Sequence, residues 1–201
     1  MARVDLLDPN ESDDPDVREF APKVTAPDGS VGKHFQAETH FPEVMMKVYE
    51  ARLDLARKGD LGTELFTKLA VAVSMANECK YCTGAYAKQL SPRLGGDEAT
   101  REWQLALASG DLDGDEALVI DFALDALDDP AAVTDEDFET LREACGFTDE
   151  TFVELLYAVN IVSGYNRVTM ATDLGYDHDY PEEWADPDSY PAGFRRSAWP
   201  S

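Results

Sequence analysis

Apolar residues recur every three or four positions through most of this chain, and most such runs close on a glycine or proline stop signal. That spacing is the period of an α-helix, so it restricts the fold more than any other feature of the sequence. After Phe41-Pro42-Glu43, with Pro42 suited to a first helical position, the apolar residues Val44, Met45, Val48, Tyr49 and Leu53 predict a helix that stops near Gly59. Residues 61–76 are apolar on nearly every side, which predicts a buried helix. The next helix is expected from an Asn77 N-cap to about Leu90, ended by Pro92 and Gly95-Gly96, and Asp97 should cap another through Ala108. Residues 113–127 read as an amphipathic helix stopped by Asp129-Pro130. Thr134 with its three following acids opens a helix that Gly146 ends, and Thr148-Asp149-Glu150 starts the last long one. With no alternating β-branched run and no hairpin signal, the predicted fold is all-α.

The helical pattern covers residues 34–175, expected as one domain. Residues 1–33, with four prolines and two glycines among acids, read as an extended arm that docks on its own or a neighbouring subunit. Residues 176–201, rich in proline, acid and aromatics, read as a tail lying along the surface.

Charge excludes several classes of partner. The 201 residues hold 41 acidic and 17 basic side chains, a formal net charge of -24. A polyanionic duplex or lipid headgroup surface repels such a chain, so neither nucleic acid nor membrane is expected as a partner. The acid is spread along the whole sequence, a pattern that fits a salt-accumulating halophilic host, where the Debye length falls to about 3 Å at 1 M salt. An ordinary acidic protein is the alternative. The first twenty residues are acidic where a secretory signal is apolar, and the apolar stretch 69–76 is too short to span a bilayer, so a soluble cytoplasmic protein is expected.

Chemistry centres on Cys79-Lys80-Tyr81-Cys82, since three cysteines are too few for a disulfide framework. A C-x-x-C pair in the cytosol suggests redox chemistry or metal binding, and a thioredoxin-type site needs a βαβ frame that this sequence lacks. Reactivity belongs to the thiolate, which helix N-terminal amides and Lys80 would favour and Glu78 would oppose. Two cysteines three apart at a helix start are close enough to close a disulfide once one is oxidised.

The run from Leu65 to Tyr86, LFTKLAVAVSMANECKYCTGAY, resembles the core of the carboxymuconolactone decarboxylase superfamily, in its alkylhydroperoxidase D (AhpD)-like branch. The likeness extends over roughly residues 40–175 in helix order and stop signals. Supporting features are the Phe-Pro-Glu-Val start of the first helix, the Leu-Arg-Glu-Ala-Cys-Gly-Phe-Thr-Asp-Glu junction and the late Tyr165-Asn166-Arg167. The resemblance implies an AhpD-like array of about six to eight helices and a homo-oligomer, as dimer, trimer or hexamer. It also implies that Cys82 reacts with a hydroperoxide and Cys79 resolves the product as a disulfide. The family's proton relay, a Glu twelve residues before the first Cys and a His four after the second, is replaced here by Thr67 and Tyr86. With a pKa of about 10, Tyr86 is a poor proton shuttle near neutrality.

Several residues compete to fill that gap. Glu64 lies one helical turn before Thr67, although a solvated acid in a first turn is also ordinary. Tyr81 and Tyr86 can hydrogen-bond a thiolate or simply pack. His40 could act as a replacement base, and His34 with His40 and the Cys pair makes a conceivable zinc set, although their order and gap do not match a compact motif. Cys145 is expected as a small buried hydrophobe, and Asn166 and Arg167 need partners if buried. No cofactor or metal is expected. The expected activity is a thiol-dependent peroxidase or disulfide oxidoreductase, with a small hydroperoxide or disulfide as substrate and an external dithiol as reductant. The alternatives are a catalytically degenerate helical oligomer with a structural or redox-responsive Cys pair, and a lactone decarboxylase.

Overall fold

A computed structural model describes residues 2–191 and 194 of the chain. Among these residues the secondary structure is helical with no strand, and one isolated antiparallel bridge joins Thr25 to Val31. The helices are α1 (Pro15–Phe20), α2 (Lys33–Glu38), α3 (Pro42–Lys58), α4 (Gly62–Ala76), α5 (Lys80–Leu94), α6 (Asp97–Ser109), α7 (Gly114–Asp128), α8 (Asp135–Cys145), α9 (Asp149–Thr172) and α10 (Glu182–Ala185).

Helix α4 is the axis of the domain. Every residue from Phe66 to Ala76 is buried, and α3, α5, α7 and α9 pack around it. Each buried Leu, Val or Phe side chain contributes about 1.5–3 kcal/mol by leaving water, so this all-round apolar helix has its lowest energy at the centre. Its buried polar positions are partnered: Lys68 Nζ pairs with Glu64 Oε1 at 3.1 Å and Glu116 Oε2 at 2.5 Å. At the α3–α4 turn, buried Glu154 of α9 accepts from the amides of Asp60 at 2.8 Å and Leu61 at 3.2 Å.

Stop signals act largely as the sequence predicts. Thr134 and Asp137 form a reciprocal capping box, Gly146 ends α8 in the left-handed region, and the Thr148 side chain caps α9. Pro92 differs from expectation, because it lies inside α5, which runs on to Leu94 and the left-handed Gly95. Pro92 forfeits one backbone hydrogen bond without ending the helix, and the left-handed glycine sets the end.

Both flanking segments are more ordered than their composition suggests. The arm holds α1 and leads into α2, with Pro9 and Pro15 at helical first positions where the missing N–H costs nothing. Phe20, Val24 and Val31 close a small apolar cluster with Met45 and Tyr49 of α3, and the Tyr49 hydroxyl donates to Lys23 O at 2.7 Å. The arm therefore docks on its own chain. The C-terminal segment buries Tyr180, Ala185, Tyr190 and Phe194, and Arg101 of α6 donates to Trp184 O at 3.0 Å and Ser189 O at 3.1 Å. Its aromatics have no regular period, which is why the sequence reads as surface there. Phe41, Val44, Val153 and Tyr157 remain exposed, and no helix of the described residues is long and apolar enough to cross a membrane.

Candidate redox site around Cys79 and Cys82

The site begins with how α4 ends. Asn77, expected as an N-cap, is instead the C-cap of α4, followed by Glu78 at φ 59°. The Cys79 amide reaches back to Ser74 O at 2.9 Å and the Glu78 amide to Met75 O at 3.0 Å. This is a Schellman turn with glutamate in the position that usually belongs to glycine. Asn77 Nδ2 donates to Ser163 Oγ at 3.2 Å and Asn166 Oδ1 at 2.9 Å, while Asn166 Nδ2 donates to Ser74 Oγ at 3.0 Å. Buried Asn166 thus finds its partners within the chain and ties the turn to α9.

Cys79 is the N-cap of α5, and its sulfur accepts the Cys82 amide at 3.3 Å. The two residues are joined as a disulfide with Cα atoms 5.3 Å apart. One helical turn therefore holds both sulfurs at the positive end of the α5 dipole, with an amide aimed at Cys79. Both cysteines are almost wholly buried, at 1% and 4% exposure, so access depends on what lies beside each sulfur.

The sulfurs open on different spaces. Cys82 lines a cavity of about 60 Å³ shared with His34, Arg52, Tyr86 and Tyr165, whereas Cys79 lines a groove of about 340 Å³ bounded by the end of α9 and the C-terminal segment. One wall of the smaller cavity comes from α2. His34 Nδ1 lies 3.4 Å from the Tyr81 hydroxyl, and burial lowers its pKa to about 3, so the ring is neutral near pH 7. Glu38, one helical turn on, has a carboxylate oxygen buried without a hydrogen-bond partner. Burial raises its pKa to about 7 against the opposing pull of Arg52. Arg52 hydrogen-bonds the Tyr86 hydroxyl, whose pKa is raised by burial.

The other predicted candidates scatter. Thr67 is buried and donates to Thr63 O at 2.6 Å. Glu64 pairs with Lys68 and lines a separate pocket beside Cys145 and Phe147, so it does not share the Cys82 cavity. Cys145 is a free, partly buried thiol rather than a fully buried one. Lys80 is paired with Glu182 at 3.0 Å and Asp186 at 2.9 Å, which raises its pKa and ties its charge to the C-terminal segment. His40 is exposed and donates to Asp5 O at 2.9 Å, away from the thiols, so neither the replacement-base role nor the zinc set is assembled in this arrangement. Tyr81 packs edge-on to His178 at 4.2 Å, beside Asp177.

His34 and Arg52 therefore share a cavity with a cysteine that lies 30 or more residues further along the chain, and Glu38 is within electrostatic reach of Arg52. Arg52 falls on the predicted α3 helix but carried no signal of its role, and Glu38 carried none. The clue for His34 was its composition alone, as one of three histidines in the chain.

No family model and no curated protein matches this chain. Among the solved structures that share its fold are two peroxidase-related proteins. One is an uncharacterized peroxidase-related protein from Silicibacter sp. TM1040, with TM-score 0.69, 24% identity, and coverage of 89% of this chain and 93% of that one. The other is an alkylhydroperoxidase AhpD core, an uncharacterized peroxidase-related protein from Ralstonia eutropha JMP134, with TM-score 0.71, 24% identity, and coverage of 92% of this chain and 96% of that one. The chain thus has the all-α AhpD-like fold over nearly its whole length.

Proposed function

We propose that this protein is a thiol-dependent peroxidase of AhpD-like type, working through Cys82 and Cys79. One observation carries the reading: a single turn at the start of α5 holds both sulfurs at bonding distance, with Cys82 facing a cavity that also holds His34 and Arg52. In the reduced protein, neutral His34 accepts the Cys82 proton, and the thiolate that forms offsets the cost of a buried imidazolium. The thiolate attacks the terminal oxygen of a hydroperoxide. The O–O bond breaks, the alkoxide takes a proton and leaves as the alcohol, and Cys82 becomes a sulfenic acid. Cys79 then attacks that sulfur, forming the disulfide and releasing water. An external dithiol returns two electrons. Arg52 and Tyr86 stabilise the thiolate and orient the peroxide from the opposite wall.

Peroxide consumption in the presence of dithiothreitol tests this. The Cys82→Ser protein should lose at least about 100-fold of the dithiol-dependent rate, and Cys79→Ser should turn over only as fast as dithiothreitol attacks the Cys82 sulfenic acid directly. A Cys82→Ser protein that turns over at the unsubstituted rate overturns the proposal. A degenerate site is the second reading, favoured by Thr67 and Tyr86 standing where the family has its relay and by the Thr67 hydroxyl being engaged with Thr63 O. It predicts turnover no faster than free thiols in the same assay.

A further inference from the structure

We propose that the external thiol reducing this disulfide attacks Cys79, from the groove walled by the C-terminal segment, so that Cys82 is released as the thiolate inside its own cavity. The inference rests on the redox reading of the Cys pair given above.

Thiol–disulfide exchange proceeds by attack of a thiolate on one sulfur with departure of the other, and access helps decide which sulfur is attacked. Cys82 faces about 60 Å³, room for a few water molecules or the end of a hydroperoxide, between rings contributed by α2, α5 and α9. Cys79 faces about 340 Å³, within the range of sites that hold small organic molecules.

The groove is built by contacts distant in sequence. Tyr176 crosses α5 at Gly84, where a Cβ would lie 2.2 Å from its hydroxyl oxygen, and that hydroxyl donates to Tyr180 O at 2.8 Å. Lys80, one residue after Cys79, holds Glu182 and Asp186. The C-terminal segment therefore forms one wall of the reductant's path.

One effect works in the other direction. The Cys82 amide on Cys79 Sγ stabilises negative charge there, which would make Cys79 the better leaving sulfur if Cys82 were attacked. Arg52 offers compensating positive charge on the Cys82 side, and the difference in room decides for attack at Cys79. The external thiolate bonds to Cys79 as the Cys79–Cys82 bond breaks, with the electron pair leaving on Cys82. A second thiol then attacks the external sulfur, freeing Cys79 and completing oxidation of the reductant.

The oxidised full chain, mixed with 2-mercaptoethanol and quenched at short times with acid and N-ethylmaleimide, can be mapped by peptide mass. The expected species carries mercaptoethanol on Cys79 and maleimide on Cys82, in about tenfold excess over the reverse. The reverse distribution overturns the proposal. Peroxide turnover reads the peroxidase proposal separately: a protein inert to peroxide with mercaptoethanol on Cys79 loses only that reading, whereas an active one with mercaptoethanol on Cys82 loses only this assignment.

Discussion

Glu38 is a residue whose chemistry departs from its bare identity. Its unpartnered oxygen, the neighbouring Arg52, and the buried hydroxyls of Tyr86 and Tyr165 place a carboxyl with a pKa of about 7 behind the Cys82 cavity. Because the folded-state value lies above that of the unfolded chain, the native state holds the extra proton between about pH 4.5 and 7. Its contribution to stability is thus present at low pH and lost as pH rises through 7. Glu38→Gln should be as stable as the parent near pH 4.5 and more stable at pH 8, by about 1–2 kcal/mol after allowing for partial exposure, in denaturant melts at both pH values. His34 acts in the opposite sense. With its pKa lowered to about 3, its contribution is lost as pH falls from about 6.5 towards 3. Neither behaviour is legible in the sequence, where Glu38 is one of 41 acids. Desolvation is set by the neighbours that α3, α5 and α9 bring to it.

At the level of elements, the clearest constraint is the crossing of Tyr176 over α5. Gly84 exists to let that ring approach, since any side chain would meet it well inside contact distance. Gly84→Ala should therefore cost about 1–3 kcal/mol in a thermal or denaturant melt. The loss should shrink when Tyr176→Ala is added, because the colliding partner is gone; simple additivity of the two substitutions would refute the explanation. The central helices were legible to within a few residues because their apolar faces repeat at helical period and their caps are local in sequence. The arm and the C-terminal segment were not, because their buried residues are spaced irregularly. Asn77 shows the limit of local reading: its side chain suits an N-cap, yet its partners Ser163 and Asn166 lie nearly ninety residues away and hold it at a C-cap.

For the whole molecule, the net charge of -24 sets the energetics of folding and of approach to the site. Three lysines pair with the acidic C-terminal segment: Lys33 reaches Asp177 at 4.0 Å, Lys80 reaches Glu182 and Asp186, and Lys88 reaches Asp179 at 3.4 Å. Salt weakens those exposed pairs, each worth at most about 1 kcal/mol, but it also screens repulsion among the many remaining carboxylates. The second effect is larger. The melting midpoint should rise by on the order of 10 °C between about 0.1 and 2 M sodium chloride, and a flat or falling midpoint would remove the argument for adaptation to high salt.

Helix period, caps and the three-residue spacing of Cys79 and Cys82 are local properties, so the sequence alone determined an all-α fold with a thiol pair at a helix start. What faces each sulfur is not local. His34 reaches Tyr81 across 47 positions, and Tyr176 reaches Gly84 from the far end of the chain. Only tertiary packing decided that one sulfur opens on a small cavity beside His34 and Arg52 and the other on a groove. Burial and proximity depend on neighbours in space, and no period along the chain records them.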